Sequence, residues 1–182
     1  MSNIEDDIED DKFLSEDAEL AIKEYKDKND VVLTTHEEVH ADYSGEIQKL
    51  EIGYVEIKLV TIKEMLADSL GLIHGGFIFS AADYAAMLAV NERNVVLVAC
   101  DCQFLSPVKY GDIVYFAAKV RHKEGRKRNV HVTGHVLDIK VFDGEFKTVV
   151  TDRHVLKLNL LDDEDGDIDR IADIEVVPEI TE

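Results

Sequence analysis

The chain has 182 residues, 46% of them hydrophobic, which suits one compact domain with extensions and is too short for two full ones. Its net charge of −19 sits at the ends: residues 1–30 carry −8 and residues 159–182 carry −9, leaving −2 for residues 31–158. Acidic ends on a near-neutral centre exclude a nucleic-acid partner, because phosphate contacts need clustered Lys and Arg and only GRKRN, Gly125 to Asn129, is strongly basic.

Residues 1–30 read as an acidic extension: a tail to about Asp11, then a helix from Ser15 to Lys28 with Ser15 as its cap. No basic segment followed by an apolar stretch marks export and nothing reads as a membrane span, so the expected location is the cytoplasm, with no membrane partner. From Val31 the pattern turns to β, first VVLTTHEEVHADY and then EIQKLEIGYVEIKLVTI, with Gly45 and Gly53 marking a turn and a bulge.

Between Ser69 and Asn91, 23 residues hold one formal charge, Asp83. Phe77 to Val90 lacks Pro and holds Ala81, Ala82, Ala85, Ala86 and Ala89 on every face, which predicts a helix buried all round. Gly75 and Gly76 precede it with no side chains to shield the first turn. Their amides, aided by the helix dipole, can approach a carbonyl oxygen or an anion, which is the making of an oxyanion site. An acid inside such a helix is costly unless something needs it there. Asp83 is therefore a candidate site residue, with capping or tying of a neighbouring strand as the structural alternative. His74 divides evenly between a site role and a structural role beside the turn.

Four β-like runs follow: NVVLVACDCQFLSP, DIVYFAAKVRHK, RNVHVTGHVLDIKVF and EFKTVVTDRHVLKLNL. Pro107 to Gly111, Glu124 to Arg128 and Asp143-Gly144 separate them, which predicts that the last three form an antiparallel meander. Cys100 and Cys102 fall on one face of a strand as small apolar residues, neither a metal-type pair nor a disulfide framework. The plan is α+β, one curled antiparallel sheet round one helix over residues 31–158, followed by an acidic tail over 159–182. No metal is implied. The pairs His36/His40 and His131/His135 would span about 13 Å on a strand, and DDEDGDID lacks the ligand spacing of a calcium loop.

HGGFIFSAADYAAMLAVN, preceded by Met65, Asp68 and Gly71 and followed by FLSPVKYGD, resembles the hotdog-fold acyl-CoA thioesterases, with the phenylacetic-acid-pathway branch as the nearest pattern. The resemblance covers about residues 40–158, and it extends to fatty-acid-responsive regulators of this fold and to a flagella-associated bacterial hotdog protein. It implies a homodimer, with a tetramer as a further option, whose sheets join edge to edge and whose two sites each draw on both chains. The ligand or substrate it implies is a coenzyme A thioester, with no other cofactor. In that scheme the Gly75 amide polarises the thioester carbonyl, Gly76 lies beside it, and His74 positions the loop or the substrate. Asp83 of the partner chain activates water or attacks directly. A distance argument agrees, since eight residues of straight helix separate Gly75 from Asp83 by about 12 Å, too far for one chain to use both on one carbonyl.

Phe77, Phe79, Met87 and Leu88 are candidates for lining the acyl channel, against plain core packing for each. Arg126, Lys127 and Arg128 are candidates for the CoA phosphates, against a solvated basic turn. The chain departs from the family at two points. Asp68, a candidate catalytic residue, stands where relatives carry Asn; it could hold the water but adds negative charge near the oxyanion, and Val95 to Cys100 offers no hydroxyl where relatives place Ser or Thr. Hydrolysis thus competes with a second expectation, a non-catalytic acyl-CoA sensor working through a protein partner, and with a third, an interaction protein that uses its acidic ends.

Overall fold

A computed structural model describes residues 31–157. The expected helix from Ser15 to Lys28, both acidic ends and the DDEDGDID segment lie outside the described residues. The elements run α1 (Ala41–Ser44), β1 (Glu46–Glu51), β2 (Tyr54–Val60), α2 (Gly75–Val90), β3 (Val95–Phe104), β4 (Ile113–Glu124), β5 (Lys127–Val136) and β6 (Ile139–Val150). Single 3-10 turns occupy Lys63–Met65 and Val155–Lys157.

All six strands form one antiparallel sheet in the order β1-β2-β4-β5-β6-β3. The sheet curls round α2, as the hotdog resemblance implies. Alternation along the strands sends Ile57 and Leu59, Phe116, Val130 and Val132, and Phe142 and Phe146 into a core with α2, and all seven are essentially inaccessible to water. The five alanines of α2 are buried with them, so small side chains let the helix backbone lie close to the sheet. No helix among the described residues is long and apolar enough to cross a membrane.

Both ends of α2 are tied. His74, the N-cap, accepts the Gly76 N–H on Nδ1 at 2.9 Å. Asn91 closes the other end in the left-handed conformation, φ 49° and ψ 44°, and returns its N–H to Met87 O at 2.9 Å. The Asn91 side chain also binds the approaching chain, accepting from Thr34 N at 2.9 Å and donating to Val32 O at 2.8 Å.

Three expectations require correction. VVLTTHEEVHADY contains no strand: it runs as an irregular segment past Asn91 and ends in α1, whose Tyr43 stacks on Phe77 at 6.1 Å between ring centroids. Its β-branched residues mimic a strand, yet its contacts are with the helix. EIQKLEIGYVEIKLVTI is a hairpin, with Gly53 at φ 77° in its turn and the bulge displaced to between Ile47 and Lys49. Asp143-Gly144 is no turn either. β6 runs straight through it, and the connection falls at Leu137-Asp138, where Leu137 takes φ 51°.

Gly144, paired with Val132, and Gly134, paired with Phe142 on the adjoining strands β5 and β6, belong to the core for lack of a side chain. A Cβ on Gly134 would stand 2.7 Å from Phe116 Cε1, and one on Gly144 would stand 3.0 Å from both Cys102 Cβ and Phe146 Cε2. Rings of Phe116, Phe142 and Phe146 pack over these gaps. Gly134→Ala should therefore destabilise the fold by about 2 kcal/mol through overpacking, read as a lowered midpoint in urea unfolding; a midpoint unchanged from the parent would show that Phe116 yields freely.

Candidate functional site

At the N-terminal end of α2 two loops meet. The first, Met65 to His74, folds back on itself: Ala67 N donates to Leu72 O at 2.7 Å and His74 N to Met65 O at 2.9 Å. The second, Leu105 to Asp112, lies alongside it, with Ile73 N donating to Val108 O at 2.9 Å and Tyr110 N to Gly71 O at 2.8 Å. Asp112 Oδ2 accepts from Lys109 N, and Thr61 Oγ1 donates to the carbonyls of Lys109 and Asp112. The segments that carry the family resemblance, far apart in the chain, are thus one hydrogen-bonded unit round the start of the helix.

Within that unit the glycine amides differ. Gly76 N–H is taken by His74, so the ring acts as a cap and directs that donor away from any incoming group. Phe77 N–H goes to His74 O at 3.1 Å. Gly75, the first helical residue, has no intrahelical acceptor by geometry, and it lines a cleft of about 290 Å³ between the helix start and the second loop. A Cβ on Gly75 would stand 3.3 Å from Phe104 Cε1, so the missing side chain allows the ring to close against the helix end. The helix entrance is open, with Gly75 as its donor.

Asp68 lies at the exposed tip of the first loop, where its Oδ1 accepts from Leu70 N at 2.9 Å and Leu72 N at 3.1 Å. Its structural work is to hold the loop. Asp83 lies two turns along α2, half-buried, and its Oδ1 is shut off from solvent with no hydrogen-bond partner among the described residues. For that oxygen the strand-capping alternative does not hold. Burial pushes the Asp83 carboxyl up to about 6, and its charge also helps push up the Cys100 thiol on β3, which reaches about 12 chiefly through burial. Asp83 therefore faces the β3 side of the sheet. Cys100 and Cys102 are free and half-buried on that strand, and the raised Cys100 thiol is held in its unreactive form.

The basic turn is elsewhere. Val150 N donates to Arg126 O, and Arg128 Nη2 lies 3.7 Å from Glu92, just beyond the C-terminal end of α2. A 16-residue helix puts that end about 24 Å from Gly75 in the same chain. Arg128 is 6% exposed and donates to Gly125 O at 2.7 Å and Lys127 O at 2.9 Å, so it fastens the hairpin. Arg126 is exposed with Asp152 at 3.9 Å, and Lys127 is half-buried.

The four residues expected to line an acyl channel do not border the cleft. Met87 and Leu88 are core, Phe79 stacks on Phe146, and Phe77 joins Tyr43 and His74 on the other side of the helix. The cleft is built instead from Leu72, Ile78, Phe104 and Val141 with the Leu105–Val108 loop. The FLSP segment was the available signal for it; Val141 had none, because its strand was divided at the wrong place.

The two sheet edges differ in kind. Both carry a bulge, at Ile47/Lys49 in β1 and Leu97/Ala99 in β3, but β1 is short and charged (EIQKLE), which discourages further pairing, whereas β3 is ten residues long and mostly apolar (VVLVACDCQF). Gly75, through Phe104, and Asp83, through Cys100, both lie along the β3 edge.

Comparison with known proteins gives a consistent family signal. The thioesterase superfamily profile matches residues 70–142. The chain is 49% identical over 117 residues to the methylthioribose-1-phosphate isomerase of Aquifex aeolicus, covering 64% of this chain but 26% of that protein. It is 30% identical to the transcription factor FapR of Shouchella clausii over 67% of this chain and 62% of that one. It is 31% identical to the acyl-coenzyme A thioesterase PaaI of Escherichia coli over 57% of this chain and 70% of that one. Among solved structures, the uncharacterized protein PH1136 of Pyrococcus horikoshii superposes with a TM-score of 0.68 at 42% identity, over 69% of this chain and 97% of that one. The chain thus spans about a quarter of the isomerase and under two thirds of FapR.

A carboxyl raised to about 6 keeps its proton in the folded state at pH values where the unfolded chain, with a carboxyl near 3.8, has released it. Between about pH 4 and 6 the folded state binds more protons, so stability falls as pH rises through that window and then levels off. Asp83→Asn should remove this component, worth about 3 kcal/mol at pH 7. Urea unfolding of both proteins at pH 4, 5 and 7 reads the difference, and parallel profiles would contradict burial of the acid.

Proposed function

We propose, from the premise that this chain belongs to the hotdog thioesterase superfamily, that it binds an acyl-CoA at the junction of two copies of itself and hydrolyses the thioester. The observation that carries this reading is Asp83: a carboxylate oxygen closed off from water and without a partner, set on an otherwise apolar helix beside an unpaired sheet edge. Such a group costs stability in the chain alone, and its retention fits a task performed on a ligand. The similarity to PaaI, an acyl-coenzyme A thioesterase, supports this ligand class.

The dimer follows from the edges. Gly75 and Asp83 lie at two levels along β3, about 12 Å apart. A two-fold axis crossing that edge midway between the levels sets each chain's Gly75 alongside the partner's Asp83. The thioester carbonyl then accepts from the Gly75 N–H, at the positive end of α2. Asp83 takes a proton from water, the water oxygen adds to the carbonyl carbon, and the oxyanion rests on the Gly75 amide. Collapse of the adduct breaks the C–S bond, and the proton passes from Asp83 to the departing CoA sulfur. His74 holds the loop by capping Gly76, Asp68 holds it from the outer side, and the CoA phosphates meet the exposed Arg126 and the half-buried Lys127 of the basic turn, which the buried Arg128 fastens from within.

The second reading, an acyl-CoA sensor without hydrolysis, is favoured by one feature: Asp68 is engaged with two loop amides and VVLVAC on β3 supplies no hydroxyl, so nothing but Asp83 orients the water. FapR, a transcription factor, gives that reading a precedent in the family. A screen of acyl-CoAs that measures binding and thiol release separately distinguishes the two. Hydrolysis should rise with pH through about 6 as Asp83 ionises, and Asp83→Ala should abolish it while CoA-ester affinity changes by less than about threefold. Full hydrolysis by Asp83→Ala would remove Asp83 from the mechanism, and acyl-CoA binding by a chain that sediments as a monomer would remove the shared site.

A further inference from the structure

The cleft beside Gly75 has a definite size and character, and both bear on the substrate. Its volume is about 290 Å³, and its walls are Ile73, Ile78, Phe104, Val108 and Val141, with Ser106 contributing the single side-chain hydroxyl. Among the described residues, no charged side chain lines it. Ile73, Ile78, Val108 and Val141 are each at most 4% exposed, so the floor is fixed core, whereas Phe104, 54% exposed, forms a lip. The cleft reaches Gly75 itself, so a carbonyl docked on that amide has one substituent pointing directly into it.

Resting on the acyl-CoA reading above, we propose that this cleft is the acyl pocket and that it selects an uncharged, wholly apolar acyl group of about six to ten carbon atoms. The upper limit comes from volume: a methylene needs about the 30 Å³ that a water molecule occupies in the liquid, so 290 Å³ accepts roughly ten heavy atoms. The lower limit comes from the hydrophobic effect. An acetyl group leaves most of the apolar wall wet, and each further buried methylene contributes about 0.8 kcal/mol, a factor of about four in affinity when burial is complete. Acyl groups ending in a carboxylate are rejected, because the walls offer no cation and one hydroxyl to replace the water that the charge would lose. Phe104 and Ile78 are the specificity-determining side chains, at the lip and in the floor.

The test is calorimetric titration of the full chain with ketone analogues of acyl-CoA, in which a methylene separates sulfur and carbonyl; these keep the docking oxygen and resist hydrolysis. The series runs from acetyl through octanoyl and phenylacetyl to palmitoyl, with malonyl and succinyl members. Octanoyl and phenylacetyl analogues should bind at least about tenfold more tightly than acetyl, a discount on full burial for a half-open cleft. Palmitoyl should gain nothing over decanoyl, and malonyl and succinyl should bind no more tightly than acetyl. Ile78→Ala should move the plateau about two carbons longer. Phe104→Ala, at an exposed strand end where folding is least at risk, should cut the octanoyl preference over acetyl several-fold. Measurable binding with no length dependence, or a preference for malonyl or palmitoyl, would overturn the pocket assignment and leave the acyl-CoA reading standing. Absence of binding by every member would overturn both.

Discussion

The burial of α2 on nearly all sides governs the rest of the molecule. A helix made of GGFIFSAADYAAMLAV has no polar face to give to water, so it is stable only inside a sheet curled far enough to cover it. Covering it dictates the strand pattern, with Val, Ile and Phe turned inward at every second position and glycines at 134 and 144 where rings must cross the ladder. Besides its two ends, the helix keeps few polar groups: Ser80, which bonds Ser44 Oγ at 3.3 Å, the Tyr84 hydroxyl, and Asp83.

Those remnants are where chemistry can occur. The C-terminal end is sealed by Asn91 and the strap from Val32 to Thr34. The N-terminal end is only half sealed: His74 answers one amide and leaves Gly75 facing an apolar cleft. Glycine at position 75 serves two purposes, since the absent Cβ admits Phe104 against the helix and keeps the first amide within reach of a ligand. Asp83, two turns away on the same rigid element, is too distant for that amide in its own chain. β3, the strand beside both, is an edge of the sheet among the described residues, and the proposed pairing of two copies there would bring the two groups together.

The electrostatics are consistent with that division. Asp68 belongs to the loop next to Gly75, where an anion would oppose a developing oxyanion, but its Oδ1 is spent on two amides and it sits at an exposed tip where water screens it. Asp83 is largely buried, and burial pushes its carboxyl up to about 6, toward the range that suits the general base proposed above. Two carboxylates of similar chemistry thus have different tasks because one is wet and bonded and the other is dry and orphaned.

Much of this was legible in the residues. An Ala-rich run with a single acid identified the central helix, the glycine pair identified its working end, and the HGG and Pro-x-x-x-Gly-Asp segments identified the family, because each of these is a local pattern with a local physical cause. The irregular path of residues 32–40, the turn at Leu137-Asp138 and the engagement of Arg128 were not legible, since each depends on what lies across the fold: a helix to cover, a ring to accommodate, a Glu92 to meet. The cleft beside Gly75 was hidden for the same reason, as Gly75, Phe104 and Val141 come from three segments separated by dozens of residues. Sequence determined which element would be buried and which groups it would carry, through propensity and periodicity that act over a few residues. Only tertiary structure decided which of those groups remained unanswered, because hydrogen-bond partners and cavity walls are supplied by chain that is distant in sequence and near in space.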